Sequence, residues 1–127
     1  QPYGGARWRL AGLTRLQGEL PGTALVVAEF EAMVDDPALL VAGGYCAPRL
    51  SDGAGRHWLP QFLADRTVRE ALPQAAEKPR CGSFDAAQPG QAVGMAEVFL
   101  IPGDVGDLVL SVRLTEAPDQ GLLFRSP

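Results

Sequence analysis

The sequence contains a single lysine and no run of basic residues. Its ten arginines are scattered along 127 positions, and the formal net charge is −4 at pH 7. Proteins that bind nucleic acid concentrate Lys and Arg in a stripe or patch that neutralises phosphates. The sequence therefore predicts no nucleic-acid partner.

Long apolar runs are also missing. The uninterrupted apolar runs, such as residues 24–28 and 98–101, fall far short of the roughly 20 residues that span a bilayer. The chain begins with Gln1 rather than Met and shows no leader made of a charged and an apolar region. We therefore expect a processed or trimmed product, attached to a membrane only through an N-terminal signal or anchor absent from this chain.

Histidine is scarce. Because His57 is the only one, a His-based acid–base pair or a two-His metal site cannot form within one chain. No serine lies in a G-x-S-x-G motif, and the Gly-Gly pairs lack the lysine of a P-loop. The sequence predicts a protein that is not an enzyme, with no catalytic, cofactor-binding or metal-binding residues and no cofactor.

The carboxylates leave an alternative open. Glu29 and Glu31 would point the same way on a strand, about 7 Å apart, a spacing that could suit paired acids. The aspartates at positions 35–36 and at 104 and 107 could offer loop oxygens to Ca²⁺. A solvated strand face and ordinary turn chemistry explain the same residues. The alternative function is a secreted metal- or small-ligand-binding protein that uses loop carboxylates.

Two cysteines, Cys46 and Cys81, form neither a C-x-x-C pair nor a zinc-finger spacing with histidine. They are either bonded to each other or two separate thiols. Fifteen glycines, eleven prolines and one lysine suit a loop-rich β-protein of an oxidising compartment, which favours a disulfide. Closing a loop of about 35 residues would stabilise the fold by about 3–4 kcal/mol in the chain-entropy model.

Alternation of apolar and polar residues predicts short strands separated by turns about every ten residues. It is clearest at residues 108–115 and also marks residues 6–10, 23–34 and 93–101. One helical turn is expected within residues 61–72, where Thr67 and Glu70 have capping-box spacing. Residues 38–42 are ambiguous, and residues 74–80 are predicted to form a polar loop. The fold class is therefore all-β: one antiparallel immunoglobulin-like sandwich of six or seven strands over residues 1–127.

Residues 46–60 are predicted to form a β-hairpin around the turn at residues 52–55. If Trp58 points inward, its neighbour His57 points outward. The order Cys46, Trp58, Cys81 is that of an antibody domain, but that interpretation fails. The first cysteine follows a Gly-Gly break rather than lying inside a strand, and Pro79 stands where a tyrosine corner needs Tyr. A disulfide would instead tie the base of the hairpin to the loop before Ser83 and Phe84.

The order of features resembles a known family. Trp8 lies in an opening strand, a Leu-x-Asp-x-x-Gly-Arg-x-Trp hairpin runs from Leu50 to Trp58, and a later strand ends at Pro102. Over roughly residues 6–115 the chain is similar to the bacterial extracytoplasmic immunoglobulin-like domains of the immunoprotective-antigen superfamily. The resemblance implies a secreted or membrane-anchored sandwich and supplies no catalytic residues.

Aromatic and arginine residues are enriched where proteins make contacts. They cluster in and just after the hairpin, which predicts an interaction surface of Tyr45, Arg56, His57, Phe62, Arg66 and Arg69. The predicted function is a non-catalytic binding or accessory domain of the bacterial cell envelope that contacts a protein or another envelope component. The predicted location is periplasmic or secreted.

Overall fold

A computed structural model describes residues 1–61, 66–82, 84, 86–117 and 121–125. They form two four-stranded antiparallel sheets, sheet A with strand order β1-β2-β3-β6 and sheet B with order β5-β4-β7-β8. The strands are β1 (Pro2–Tyr3), β2 (Ala6–Gln17), β3 (Thr23–Val34), β4 (Cys46–Asp52), β5 (His57–Trp58), β6 (Ala92–Pro102), β7 (Leu108–Leu114) and β8 (Leu122–Arg125). The helices are α1 (Pro37–Ala42), α2 (Arg66–Ala71) and α3 (Pro73–Glu77).

The strand order is that of an immunoglobulin sandwich. Strands β2, β3 and β6 take the places of A, B and E, and β5, β4, β7 and β8 those of C′, C, F and G. Where a constant-type domain has strand D, the described part of this chain has α2 and α3. The predicted antiparallel all-β sandwich is confirmed. The described residues form eight strands rather than six or seven, and two of these strands, β1 and β5, are only two residues long.

The helices differ from the expectation of one helical turn. The ambiguous residues 38–42 belong to α1, which begins after Asp36, whose carboxylate accepts a hydrogen bond from the Leu39 amide at 3.2 Å. The predicted loop at residues 74–80 is largely α3, with Pro73 in its first turn and Ala75 buried beneath it. The loop prediction was wrong because burial of a single small residue, Ala75, is enough to hold so short a helix in place.

The expected capping box is also absent. Helix α2 begins at Arg66, so Thr67 lies inside the helix rather than at its cap. Glu70 pairs instead with Arg66, one turn earlier, at 3.0 Å.

The core lies between the two sheets. Strand β2 has a bulge between Leu10 and Gly12, so that Trp8 before it and Leu13 after it both face the core. The Trp8 ring packs 6.4 Å from Phe30 and 5.9 Å from Phe84, measured between centroids. Inward residues of β4, β7 and β8 complete this cluster, among them Leu50 and Leu110. The alternation in the sequence thus places one face of every long strand in a common core.

The outer face of sheet A is covered as well. Helices α2 and α3 contribute Val68 and Ala75 to a second apolar cluster with Leu25, Val27 and Ala96 of sheet A. The start of β3 is therefore buried on both faces. In the described residues, sheet B has no comparable cover.

Residues 79–82 join the two sheets along one side of the sandwich. The Ala96 amide of β6 donates to the Pro79 carbonyl at 3.1 Å, and the Cys46 amide of β4 donates to the Gly82 carbonyl at 2.9 Å. Cys46 and Cys81 are disulfide-bonded, with Cα atoms 5.4 Å apart. The predicted disulfide is confirmed, and it ties the start of the hairpin to the segment before Phe84, as expected.

A buried carboxylate lies beside this bond. Glu97 points inward from β6 and is 1% exposed; it accepts hydrogen bonds from Arg80 Nε at 2.9 Å and from the Cys81 amide at 3.2 Å. Burial raises the pKa of Glu97 above its ordinary value, although the Arg80 and Cys81 hydrogen bonds oppose that rise. The Glu97 carboxylate thus satisfies the amide of Cys81, while its burial disfavours its charged form.

Replacing both cysteines, Cys46→Ser with Cys81→Ser, is expected to lower the free energy of unfolding by about 3–4 kcal/mol, because the unfolded chain regains the entropy of an open 35-residue loop. Urea unfolding of both proteins measures the difference. A reducing agent should destabilise the wild type similarly and leave the double variant unchanged. Unfolding midpoints that coincide, or two free thiols in unfolded, unreduced wild type, would contradict the assignment.

The raised pKa of Glu97 predicts a pH dependence of stability. Between the ordinary glutamate pKa of about 4.3 and the raised one, the native state holds the proton more tightly than the unfolded state. Wild-type stability should therefore fall, relative to Glu97→Gln, as pH rises through this window. Urea unfolding of both proteins from pH 4 to 8 tests this. Parallel stability profiles for the two proteins would show that no such proton is held.

Candidate functional site

The structure separates the residues of the predicted interaction surface. Arg56 and His57 lie together at the hairpin, and His57 is exposed, as expected. Tyr45, 68% exposed, precedes the opposite end of β4. A seven-residue strand puts roughly 20 Å between the two ends. Tyr45 therefore does not lie next to Arg56 and His57.

The arginines of α2 lie elsewhere again. The Gln61 amide donates to the Val98 carbonyl of β6 at 2.8 Å, so the chain leaves sheet B after the hairpin and crosses to the edge of sheet A. Arg66 and Arg69 then sit on α2, over the outer face of sheet A. Phe62 lies outside the described residues. Proximity in sequence was misleading because the chain changes sheets between the hairpin and α2.

Arg56 itself supports the turn. Asp52 accepts hydrogen bonds from the amides of Ala54 and Arg56, and its carboxylate pairs with Arg56 Nε at 2.7 Å. Burial works to raise the pKa of Asp52, but the hydrogen bonds from Arg56 and Ala54 outweigh it and the pKa is lowered. The Arg56 guanidinium also lies 5.7 Å from the centroid of the half-buried Trp58 ring. Within the hairpin, these contacts give Arg56 a structural role.

Three of the carboxylates singled out from the sequence form separate ion pairs. Glu29 pairs with Lys78 at 3.3 Å and Glu31 with Arg9 at 3.1 Å, both on the outer face of sheet A. Asp35 pairs with Arg7 at 3.0 Å. In the described ranges, no group of three or more His, Cys, Asp or Glu side chains is placed to hold a metal ion.

The outer face of sheet B has a different character. We call it the arginine face, and it consists of the outward residues of β4, β5, β7 and β8: Ala47, Arg49, Ser51, His57, Val109, Ser111, Arg113, Leu123 and Arg125. Their neighbours of opposite parity point into the core, which fixes their outward direction. The face carries three arginines and neither Asp nor Glu.

Most other arginines of the chain are compensated. Five form ion pairs with carboxylates: Arg7, Arg9, Arg56, Arg66 and Arg80. Arg15 donates to the carbonyls of Val105 and Gly106 at 2.6 and 3.2 Å. By contrast, Arg49, Arg113 and Arg125 form no ion pair with any carboxylate that the structure describes, and of the remaining arginines the same holds for the exposed Arg69 of α2. The charges available to a partner are thus concentrated on the arginine face.

The centre of the arginine face is a shallow groove. Arg49 lies opposite Ser111 on the neighbouring strand, and Arg113 lies opposite Ala47. The two arginines are therefore diagonal neighbours, with Cα atoms about 7–8 Å apart. Ser111 is only 8% exposed, and its hydroxyl donates to the Arg49 carbonyl at 3.3 Å. The cavity volume of about 180 Å³ is below that of small-molecule sites, which typically exceed about 300 Å³.

Apolar side chains border the arginines. Leu59, which lines the groove, is 71% exposed, and Leu123 of β8, opposite Ser111 of β7, is 60% exposed. A face with a shallow groove, three arginines and two exposed leucines has the composition of a protein contact surface rather than of a catalytic cleft.

The sequence signal for this face was incomplete. The alternation at residues 108–114 places Arg113 outward, and the hairpin parity does the same for Arg49. Periodicity could not show that the helices cover sheet A and leave sheet B open, because it says only that a side chain points away from the core.

Comparison with known proteins adds evidence on the fold. No family model matches the chain, and no curated protein matches it. Among the described residues, no helix has the length and apolar composition needed to cross a membrane. One solved structure, of a putative lipoprotein from Staphylococcus aureus subsp. aureus NCTC 8325, superposes with a TM-score of 0.53 at 11% sequence identity. The match covers 95% of this chain and 83% of that one. This chain therefore shares its sandwich fold with the staphylococcal protein.

Proposed function

We propose that the chain is a non-catalytic binding domain of the bacterial cell envelope, located outside the cytoplasm, that contacts another protein through the arginine face. One observation carries this proposal: the outer face of sheet B presents three arginines without carboxylate partners in the described structure, of which Arg113 and Arg125 are exposed and Arg49 is half-buried, whereas helices cover part of the outer face of sheet A. Charges that no internal contact compensates are available to an external one.

Two observations support the location. Structural disulfides persist in oxidising compartments and are rare in the cytosol, and Cys46 and Cys81 are bonded here. The staphylococcal protein of the same fold is described as a putative lipoprotein, which agrees with the resemblance to extracytoplasmic sandwiches. Both favour the periplasm or the cell exterior.

The arginine face supports protein contact over catalysis. Arginine is enriched at interfaces because its planar guanidinium makes several directed hydrogen bonds while its stem packs against apolar groups. Leu59 and Leu123 supply such groups beside Arg49 and Arg125. The carboxylates that a hydrolytic mechanism could recruit, Glu29 and Glu31, are ion-paired on the opposite side of the molecule.

Photocrosslinking in native cells tests this function. A photoreactive amino acid replaces Leu123 on the arginine face or, as a matched control, the exposed Gln74 on α3. After irradiation of intact cells and fractionation, the protein with the probe at position 123 should appear outside the cytoplasm as a discrete adduct with a second protein. The position 74 probe should give no such adduct.

The absence of an adduct from position 123 would overturn the proposed function, and so would either of two further results. One is recovery of the protein only from the cytoplasm, with both cysteines reduced. The other is an identical set of adducts from positions 74 and 123, since that would remove any preference for the arginine face.

A binding role also predicts that the arginines contribute little to folding. Arg113→Glu should change the free energy of unfolding by less than about 0.5 kcal/mol, because the side chain is exposed and makes no ion pair in the described structure. Trp8→Ala is the contrasting variant, and loss of this buried ring should cost about 3–5 kcal/mol. Urea unfolding at pH 7 measures both. A loss above 1.5 kcal/mol for Arg113→Glu would assign that arginine to stability instead.

A further inference from the structure

We infer that the partner presents an extended acidic segment to the arginine face, with carboxylates at alternate positions that pair with Arg49 and Arg113. This inference rests on the proposed function and adds the chemistry of the partner. It follows from the charge, the spacing and the shape of the face.

The charge of the face opposes that of the rest of the chain. The nine outward strand positions hold three arginines and no acidic residue. Since the chain as a whole carries −4, the remainder without these three arginines carries −7. An anionic partner is attracted only where the positive charges are concentrated, so long-range electrostatics orient it toward sheet B.

The spacing of Arg49 and Arg113 matches the spacing of alternate residues in an extended strand. Arg49 and Arg113 are diagonal neighbours on β4 and β7, about 7–8 Å apart. Alternate residues of an extended chain lie about 7 Å apart and point to the same side. Two carboxylates at positions i and i+2 of an extended segment can therefore each receive the paired N–H groups of one guanidinium.

The shape and chemistry favour a protein segment over a membrane. One arginine near an anionic bilayer strengthens binding about fivefold, so three give roughly 10²-fold, which is weak against the −7 charge on the rest of the molecule. Leu59 lines the shallow groove and Leu123 lies on the same face, so these two exposed side chains can pack against apolar groups of a peptide's side chains.

Titration of the full chain with defined probes tests the inference. The first probe is an eight-residue peptide of alternating Glu and Thr, the second the same peptide with Gln for Glu, and the third vesicles of phosphatidylcholine and phosphatidylglycerol in a 7:3 ratio. Amide chemical shifts should change on adding the Glu peptide, chiefly at Arg49, Ser111, Arg113 and Leu123. The Gln peptide and the vesicles should leave these shifts unchanged.

Charge-reversing variants identify the contacts. Arg49→Glu with Arg113→Glu should weaken binding of the Glu peptide at least tenfold, and raising the salt concentration should weaken it for the wild type. Arg69→Glu, which reverses an exposed arginine on α2, is the matched control and should change the affinity less than twofold.

Three outcomes would overturn the inference: no shift change with the Glu peptide, equal weakening by Arg69→Glu, or vesicle binding that depends on Arg49 and Arg113. The last would assign the face to anionic lipid. If the Glu peptide does not bind while the crosslink at position 123 persists in cells, the inference of an acidic segment is wrong and the proposed function stands. If the crosslink also disappears, both fail.

Discussion

The sandwich depends on how residues 79–82 close its open side. Strand β5 is only two residues long, so the first half of β4 has no strand partner on that side, and β6 is the last strand of sheet A. Unpaired strand edges invite pairing with other chains. The Pro79 and Gly82 carbonyls accept hydrogen bonds from both edges, and the disulfide fixes the segment in place. The buried Glu97 carboxylate accepts a hydrogen bond from the amide of Cys81. Residues 79–82 thus contact two strand edges, that of β4 and that of β6.

The same connection creates the asymmetry on which the proposed function rests. Between β5 and β6 the chain must travel from sheet B to sheet A, and the Gln61 contact with β6 commits it to the sheet A side. Helices α2 and α3 form on that route and bury the outer face of sheet A over Leu25 and Val27. A sandwich has two outer faces, and within the described structure the connection covers one of them. The residues of the other face are consequently free to be selected for contact with partners.

Elements held by contacts between residues close in sequence could be predicted, whereas elements held by contacts between distant residues could not. The alternation at residues 108–114 and the turn at Asp52 depend on neighbours in sequence, so β7 and the hairpin were predicted correctly. The cysteine pair was favoured from composition rather than geometry. The sequence left α1 ambiguous and predicted a loop in place of α3. Each helix is held by one buried side chain, Leu40 in α1 and Ala75 in α3, whose partners are distant in sequence. The predicted interaction surface assumed that residues close in sequence share a face, and the change of sheet after the hairpin broke that assumption.

The electrostatics of the arginine face connect these points. The Cα atoms of Arg49 and Arg113 lie about 7–8 Å apart, comparable to the Debye length of about 8 Å at physiological ionic strength, so salt only partly screens the repulsion between charges held at this spacing. An acidic residue offsets the charge of five other arginines, as Glu31 does for Arg9. The Asp and Glu residues outnumber the Lys and Arg residues by 15 to 11, so a shortage of acids does not explain their absence from this face. An arrangement that contributes little to folding and maintains like charges side by side is accounted for when the missing carboxylates come from another chain.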